Sequence, residues 1–343
     1  MQPIEGRTSI SQLKERASWT SAHAIFMALL LPGLATAAAP ALEYPVKNIR
    51  LIVPYLPGAG TDFTGREIAA KITEATRQQV LVENRPGAGA TIGHAMGAKA
   101  APDGYTLLLG TTGGLVSGPA LVSSIPYDPV KDFTPISIAT YVPYVLATSA
   151  VLPVKNLKEL IDMAKASPGK LNFASPGVGT PNHIGGAMLM TMAGIQLTHI
   201  AYKSTPLAFP DMVAGDVHMT FQALLQLQPY IKAGKFRVMG VGHNQRMKSA
   251  PEIPLISETI PGFYNTGWWG LVGPANMPRP IVNMLSGILI KGLQQPETVE
   301  RFLKVGLEVA TSTPEEYASL IRNDLQVWRK LVKDANISVD SLP

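Results

Sequence analysis

Ile49-Arg50-Leu51-Ile52-Val53-Pro54-Tyr55-Leu56-Pro57-Gly58-Ala59-Gly60-Thr61-Asp62-Phe63 is the stretch on which the fold turns. Residues 49–55 form a short apolar run rich in β-branched side chains, Pro57-Gly58-Ala59-Gly60 closes it, and 63–76 reads as a helix. The order is strand, glycine loop, helix. Downstream, 80–83 predicts a second strand, 84–89 a turn, 92–100 a helix and 105–110 a third strand. Strands alternating with helices imply parallel pairing in an α/β sheet.

The same device returns farther along. Residues 171–174 read as a strand, followed by Ser175-Pro176-Gly177-Val178-Gly179-Thr180-Pro181 and a helix to 192. Between the two devices lie Pro126-Tyr127-Asp128-Pro129 and two extended segments, 136–140 and 144–148, separated by Pro143 and read as the crossing into a second lobe. Asn156 should cap a helix whose apolar positions Leu157, Leu160, Ile161 and Ala164 follow helical spacing, with Glu159 completing a capping box. Strands at 199–202, 217–221 and 236–241 and a helix at 207–214 follow, with a return crossing within 241–254. Thr313-Pro314-Glu315-Glu316 opens a last helix whose stripe, Tyr317, Leu320, Ile321, Leu325, Trp328, Leu331 and Val332, is core packing.

At the N-terminus, Arg7, Lys14 and Arg16 precede an apolar run at 24–31, a Pro32-Gly33 break and Ala35-Thr36-Ala37-Ala38-Ala39. That is the order of a secretory signal peptide, 1–39, with cleavage after Ala37 or Ala39. The run is too short for a membrane-spanning helix, which needs roughly 20 residues. The chain has no cysteine, so lipid attachment, disulfides and thiolate chemistry are excluded and a periplasmic location is expected. Removing 1–39 takes three basic and two acidic residues, so the formal charge of +5 falls to +4. The cations are scattered among acids without interleaved aromatics, which argues against a nucleic-acid partner. The remaining length exceeds what one core supports and calls for two lobes: 40–142 with 252–343, and 143–251.

The tests for catalysis are negative. Gly87-Ala88-Gly89-Ala90-Thr91-Ile92-Gly93 places its third glycine one residue late for a dinucleotide loop, and Gly169-Lys170 and Gly234-Lys235 lack the Ser or Thr of a phosphate loop. The six histidines show no metal-ligand spacing. Ser167-Pro168-Gly169-Lys170 falls on a helix-ending turn, and there is no nucleophile elbow. No metal, cofactor or catalytic residue is assigned.

What remains is the pair of glycine loops. Helix N-termini carry unpaired N–H groups and partial positive charge, so each loop can hold a carboxylate without a cation. Gly58, Gly60, Gly177 and Gly179 permit close backbone approach, and Thr61, Ser175 and Thr180 add hydroxyls. The plainer alternative is ordinary helix-capping turns. Asp62 either caps its own helix or receives a donor from a ligand, His183 either donates to an anion or packs, and Lys203 either leans into the cleft or stays solvated. A secreted enzyme using Asp62 and His183 as an acid/base pair is the competing class.

Val53-Pro54-Tyr55, Pro57 to Asp62, Val82-Glu83-Asn84-Arg85-Pro86-Gly87-Ala88-Gly89, Pro102-Asp103-Gly104-Tyr105, Pro126-Tyr127-Asp128-Pro129, Pro168 to Ser175 and Ile231-Lys232-Ala233-Gly234-Lys235 follow one another across the mature chain. In these motifs the sequence resembles the Bug-type substrate-binding proteins of tripartite tricarboxylate transporters. It implies a type II periplasmic-binding-protein fold with two α/β lobes, a ligand cleft and a hinge. It also implies a small carboxylate ligand and a large and a small integral membrane subunit as partners. A monomer that delivers the ligand to them is expected, with signalling to a membrane receptor as the alternative. By matching position, the first-lobe contacts would be Pro57, Gly58, Ala59, Gly60, Thr61, Asp62, Thr111 and Thr112. The second lobe would add Ser175, Pro176, Gly177, Gly179, Thr180 and His183. Three positions depart from the pattern: Ala59 and Ser204 stand where glycine is usual, and Gln222 where Asp is frequent. With a neutral Gln222, the expected ligand is a carboxylate without an amino group, aliphatic or aromatic.

Overall fold

The computed structural model describes residues 43–334 except 123; the signal-peptide reading of 1–39 and the ends of the predicted first lobe fall outside that range. The chain runs β1 (Ile49–Val53), α1 (Gly60–Thr76), β2 (Val80–Asn84), α2 (Thr91–Ala98), β3 (Thr106–Thr111) and, after a wide helical turn at Gly113–Ser117, α3 (Gly118–Leu121). It continues through β4 (Phe133–Ser149), α4 (Leu157–Ala166), β5 (Asn172–Ser175), α5 (Pro181–Ala193), β6 (Thr198–Ala201), α6 (Phe209–Ala214), β7 (Met219–Ala223), α7 (Leu224–Lys232) and β8 (Phe236–Val241). β9 (Thr266–Pro274), α8 (Arg279–Leu293), α9 (Pro296–Lys304), β10 (Glu308–Val309) and α10 (Pro314–Asp334) complete it.

The strand order is β2-β1-β3-β9-β4-β7-β5-β6, with β8 and β10 also paired to β4. β1 lies parallel to β2 and β3, and β5 parallel to β6 and β7, as the alternating pattern predicts. β9 is antiparallel to both β3 and β4. The two extended segments predicted around Pro143 are one strand. Pro143 is tolerated because it sits where β4 changes partner, from β9 at Thr266 to β7 at Ala223, so its missing N–H falls at the end of a ladder. β4 thus belongs to both halves of the sheet. The second link between them is the segment after β8, where Gly242 N–H donates to Tyr144 O at 2.8 Å and Asn265 N–H donates to Gly242 O at 2.6 Å.

Side chains on β4 alternate as a strand requires. Leu146 joins a core that includes Phe173, Ile184 and Phe221, while Val145 and Ala147 face a second cluster with Phe209, Leu227 and Phe236. The predicted N-caps are formed, but the capping box at Asn156 is not closed, because Glu159 Oε2 accepts from Lys155 N–H at 2.7 Å instead of from Asn156 N–H. Asn156 Oδ1 accepts from Glu159 N–H at 2.9 Å, and Thr313 Oγ1 accepts from Glu316 N–H at 3.2 Å while Glu316 Oε2 accepts from Thr313 N–H at 2.8 Å. Each such cap is worth about 1 kcal/mol. The predicted helix at 207–214 is a tight turn at Thr205–Ala208 followed by α6. Among the described residues no helix is long and apolar enough to cross a membrane.

Candidate functional site

A cavity opens where the two halves face each other. Tyr55, Ala59, Gly60, Thr61, Thr111, Gly113 and Trp269 line it from the half built on β1, β3 and β9; Tyr144 stands on β4; Pro176, Asn182, Ser204, Thr205, Gln222 and Gln226 line the other side. No charged side chain is among them. The hydroxyls Thr61 Oγ1 and Thr205 Oγ1 are buried without a hydrogen-bond partner, one from each half. Leaving a buried hydroxyl unpaired costs about 1–3 kcal/mol, so two of them facing one cavity mark a place for an acceptor.

α1 begins at Gly60, three residues earlier than the sequence pattern predicts, so Gly60, Thr61 and Asp62 form its first turn. Their N–H groups are the ones a helix cannot satisfy internally. Gly60 lets Trp269 approach closely there: a Cβ would lie 2.8 Å from Trp269 Cη2, and the ring would have to shift. Asp62 is buried and turned away from the cavity. Its Oδ2 accepts from Gly58 N–H at 3.1 Å and Arg66 Nε at 3.0 Å, and its Oδ1 from Asn84 Nδ2 at 3.0 Å. Burial raises its pKa, but the bonds from Arg66, Gly58 and Asn84 outweigh it and hold the carboxyl below the ordinary value. Asn84 also donates to Tyr55 O at 2.9 Å, tying the end of β2 to the loop.

Thr111 is positioned by His94, whose Nδ1 bonds Ala90 O at 2.9 Å and whose Nε2 accepts from Thr111 N–H at 3.3 Å. Complete burial pushes the His94 pKa down to about 4, so the ring is neutral at physiological pH and accepts that N–H. Thr112 lies outside the lining. Its hydroxyl accepts from Trp268 N–H at 2.7 Å and donates to Trp268 O at 3.1 Å, extending the β3–β9 pairing.

The second glycine loop is arranged differently. Only Pro176 of its predicted contacts reaches the cavity lining. Ser175 Oγ accepts from Gly177 N–H at 3.1 Å and shares a 2.7 Å bond with His199 Nε2. Thr180 caps α5, accepting from His183 N–H at 3.3 Å. His183 packs behind the loop, 4.6 Å from the His199 ring, and its Nδ1 accepts from Gly179 N–H at 3.4 Å. Burial, then the neighbouring His199, push its pKa down to about 3, so it is not a cationic anion donor. The close approach at Gly179 is to the opposite half: a Cβ there would lie 3.0 Å from Gly118 Cα, and Ser117 Oγ donates to Gly179 O at 2.6 Å. Lys203 is exposed on an outer groove beside Gly89 and Val178. Asp62 and His183 thus sit in the first turns of separate helices, α1 and α5, both outside the cavity lining, and no acid/base pair is assembled. Among the described residues no cluster could hold a metal ion.

Of the fifteen positions read from the sequence as contacts, the structure brings Ala59, Gly60, Thr61, Thr111, Pro176 and Gln222 to the cavity. Pro57, Gly58, Asp62, Thr112, Ser175, Gly177, Gly179, Thr180 and His183 lie outside the lining. Sequence reasoning missed Tyr55, Gly113, Tyr144, Asn182, Ser204, Thr205, Gln226 and Trp269 as liners. Trp269 had a readable signal: Trp268-Trp269-Gly270-Leu271-Val272 is an apolar run bounded by Gly267 and Pro274, the pattern of a buried strand.

The family model described as the tripartite tricarboxylate transporter family receptor matches residues 64–337. Protein BugT of Bordetella pertussis is 32% identical over 293 residues, covering 85% of this chain and 90% of BugT. Among solved structures, Rhodopseudomonas palustris Rpa4515 with adipate superposes with a TM-score of 0.83 at 28% identity, over 86% of this chain and 99% of the other. MatC from the same organism, with bound malate, gives 0.79 at 29%, over 84% and 100%.

Proposed function

From the premise that this chain belongs to the tripartite tricarboxylate transporter receptor family, we propose that it captures a small carboxylate lacking an amino group by closing its two lobes around it. Members of that family are substrate-binding receptors with the periplasmic-binding-protein fold, and the chain is a receptor of that kind and not an enzyme. The adipate in Rpa4515 and the malate in MatC support a carboxylate ligand.

The observation that carries the reading is the pair of unpartnered buried hydroxyls, Thr61 Oγ1 and Thr205 Oγ1, facing one uncharged cavity beside the N-terminus of α1. A carboxylate accepts from both hydroxyls and from the first-turn N–H groups. An ammonium group would be buried without an anionic partner, at a cost of several kcal/mol. In this proposal residues 143–251 form the second lobe, and the crossings at Tyr144 and at the Gly242–Asn265 contact support a hinge there. Ligand carboxylate oxygens then complete donors supplied by both lobes, so ligand shifts the population toward the closed state. Export through residues 1–39 and delivery as a monomer to a large and a small membrane subunit complete the reading.

Calorimetric titration with adipate, citrate, malate, nicotinate, terephthalate, aspartate and glutamate tests it. At least one carboxylate without an amino group should bind; binding of aspartate or glutamate alone overturns the ligand assignment. Deleting the gene and measuring uptake of that ligand separates delivery from sensing.

A further inference from the structure

Two amides on one wall of the cavity are held by backbone groups in opposite senses. Gln222 Oε1 accepts from Ala223 N–H at 2.8 Å. A backbone N–H can engage only the amide oxygen, so the group Gln222 has left for the cavity is its Nε2 donor. Asn182 is the reverse. Its Nδ2 donates to Phe221 O at 2.5 Å, and a carbonyl can engage only the amide nitrogen, so Oδ1 is left as an acceptor. Both side chains line the cavity, both are less than 10% exposed, and both belong to the same patch of wall. Asn182 leans on the carbonyl of the peptide that joins Phe221 to Gln222.

The wall therefore offers one acceptor and one donor in adjacent places. A carboxylate needs donors only, and an ammonium group only donates. A hydroxyl does both. The geometry points to a hydroxycarboxylate ligand, with Asn182 Oδ1 accepting the hydroxyl proton and Gln222 Nε2 donating to the hydroxyl oxygen, which makes Asn182 and Gln222 specificity-determining residues. The inference rests on the carboxylate reading and refines it. Binding a ligand without the hydroxyl leaves both amides unpaired in a closed site, and sites built to hydrogen-bond a hydroxyl discriminate strongly against analogues that lack it.

The test is titration of the intact purified protein with matched sets: malate, succinate and aspartate; 2-hydroxyglutarate, glutarate and glutamate; salicylate and benzoate. In a set that binds, the hydroxylated member should be tighter by roughly tenfold or more. Gln222→Met, which removes the donor at similar volume, should bring that ratio toward one. Gln222→Glu keeps an oxygen for Ala223 N–H and turns the other into an anion; it should exchange the preference toward the amino member of the set. Melting temperatures of both variants establish that they are folded, and the exchanged preference is a gain that misfolding cannot produce. Equal affinity for hydroxylated and plain members, or ratios unchanged by both variants, overturns this inference alone. No binding of any probe removes the carboxylate reading and this inference with it.

Discussion

The loop at 57–61 and the loop at 175–180 share a pattern of proline and glycine between a strand and a helix, yet they face different things. The first turns Gly60 and Thr61 into the cavity and is braced from behind by a carboxylate, Asp62. The second gives the cavity only Pro176, presents Gly179 to the other lobe, and is braced by neutral histidines. The same local device lines the cavity in one place and meets the opposite half of the sheet in the other. Local sequence sets the turn; the element packed against it sets the job.

Gly179→Val is the harshest way to test that difference. A branched side chain meets Gly118 and a backbone φ of +81°, so the lobes should fail to close and affinity should fall by about 100-fold for every ligand. Calorimetry together with small-angle scattering in saturating ligand measures this. A variant that closes normally would erase the distinction between the loops.

Acidification should separate them next. His183 is depressed from 6.5 to about 3, and His199 to about 4, both mainly by burial. The unfolded state therefore binds more protons, and stability present above pH 6.5 is lost as pH falls toward the folded values. For His183 this is roughly 2 kcal/mol between pH 7 and pH 5, about 30-fold in the unfolding constant. Asp62, held below its ordinary value, keeps its contribution until the pH drops below that of a free carboxyl. Amide hydrogen exchange between pH 7 and 5 should show 175–183 loosening while 57–66 stays protected. Loosening in the opposite order would contradict the assigned braces.

Gly60→Ala comes third. Its Cβ would press on Trp269, pushing the ring toward the cavity and reducing affinity about tenfold while leaving lobe closure intact. The smallest effect belongs to Ser117→Ala, which removes one contact between lobes without adding bulk. A uniform loss of about threefold to tenfold across ligands is expected, since one hydrogen bond is worth about 1 kcal/mol. A loss that depends on ligand would place Ser117 in recognition instead of closure.

Much of this was legible beforehand. The strand–loop–helix units, the caps at Asn156 and Thr313 and the parallel pairing follow from short-range patterns, which is why they could be read. Of the candidate contacts read from the sequence, six of fifteen line the cavity. Gly60 and Thr61 belong to the helix start that makes the motif. Thr205 and Asn182 reach the cavity only through tertiary packing, and nothing in their local sequence marks them. His183 shows the converse: in the first turn of a helix it has the sequence address of a ligand contact, while the rotation of α5 packs it against His199. Pro143 misled for a similar reason, since a proline breaks a strand only where its N–H is wanted.

β4 carries one further consequence. Because β4 is woven into both halves of the sheet, this crossing is no loose tether, although the return crossing after β8 is irregular. Motion between the halves twists this hydrogen-bonded ribbon, and a twisted ribbon has a resting shape to which it returns, so β4 acts as a leaf spring rather than as a free pivot.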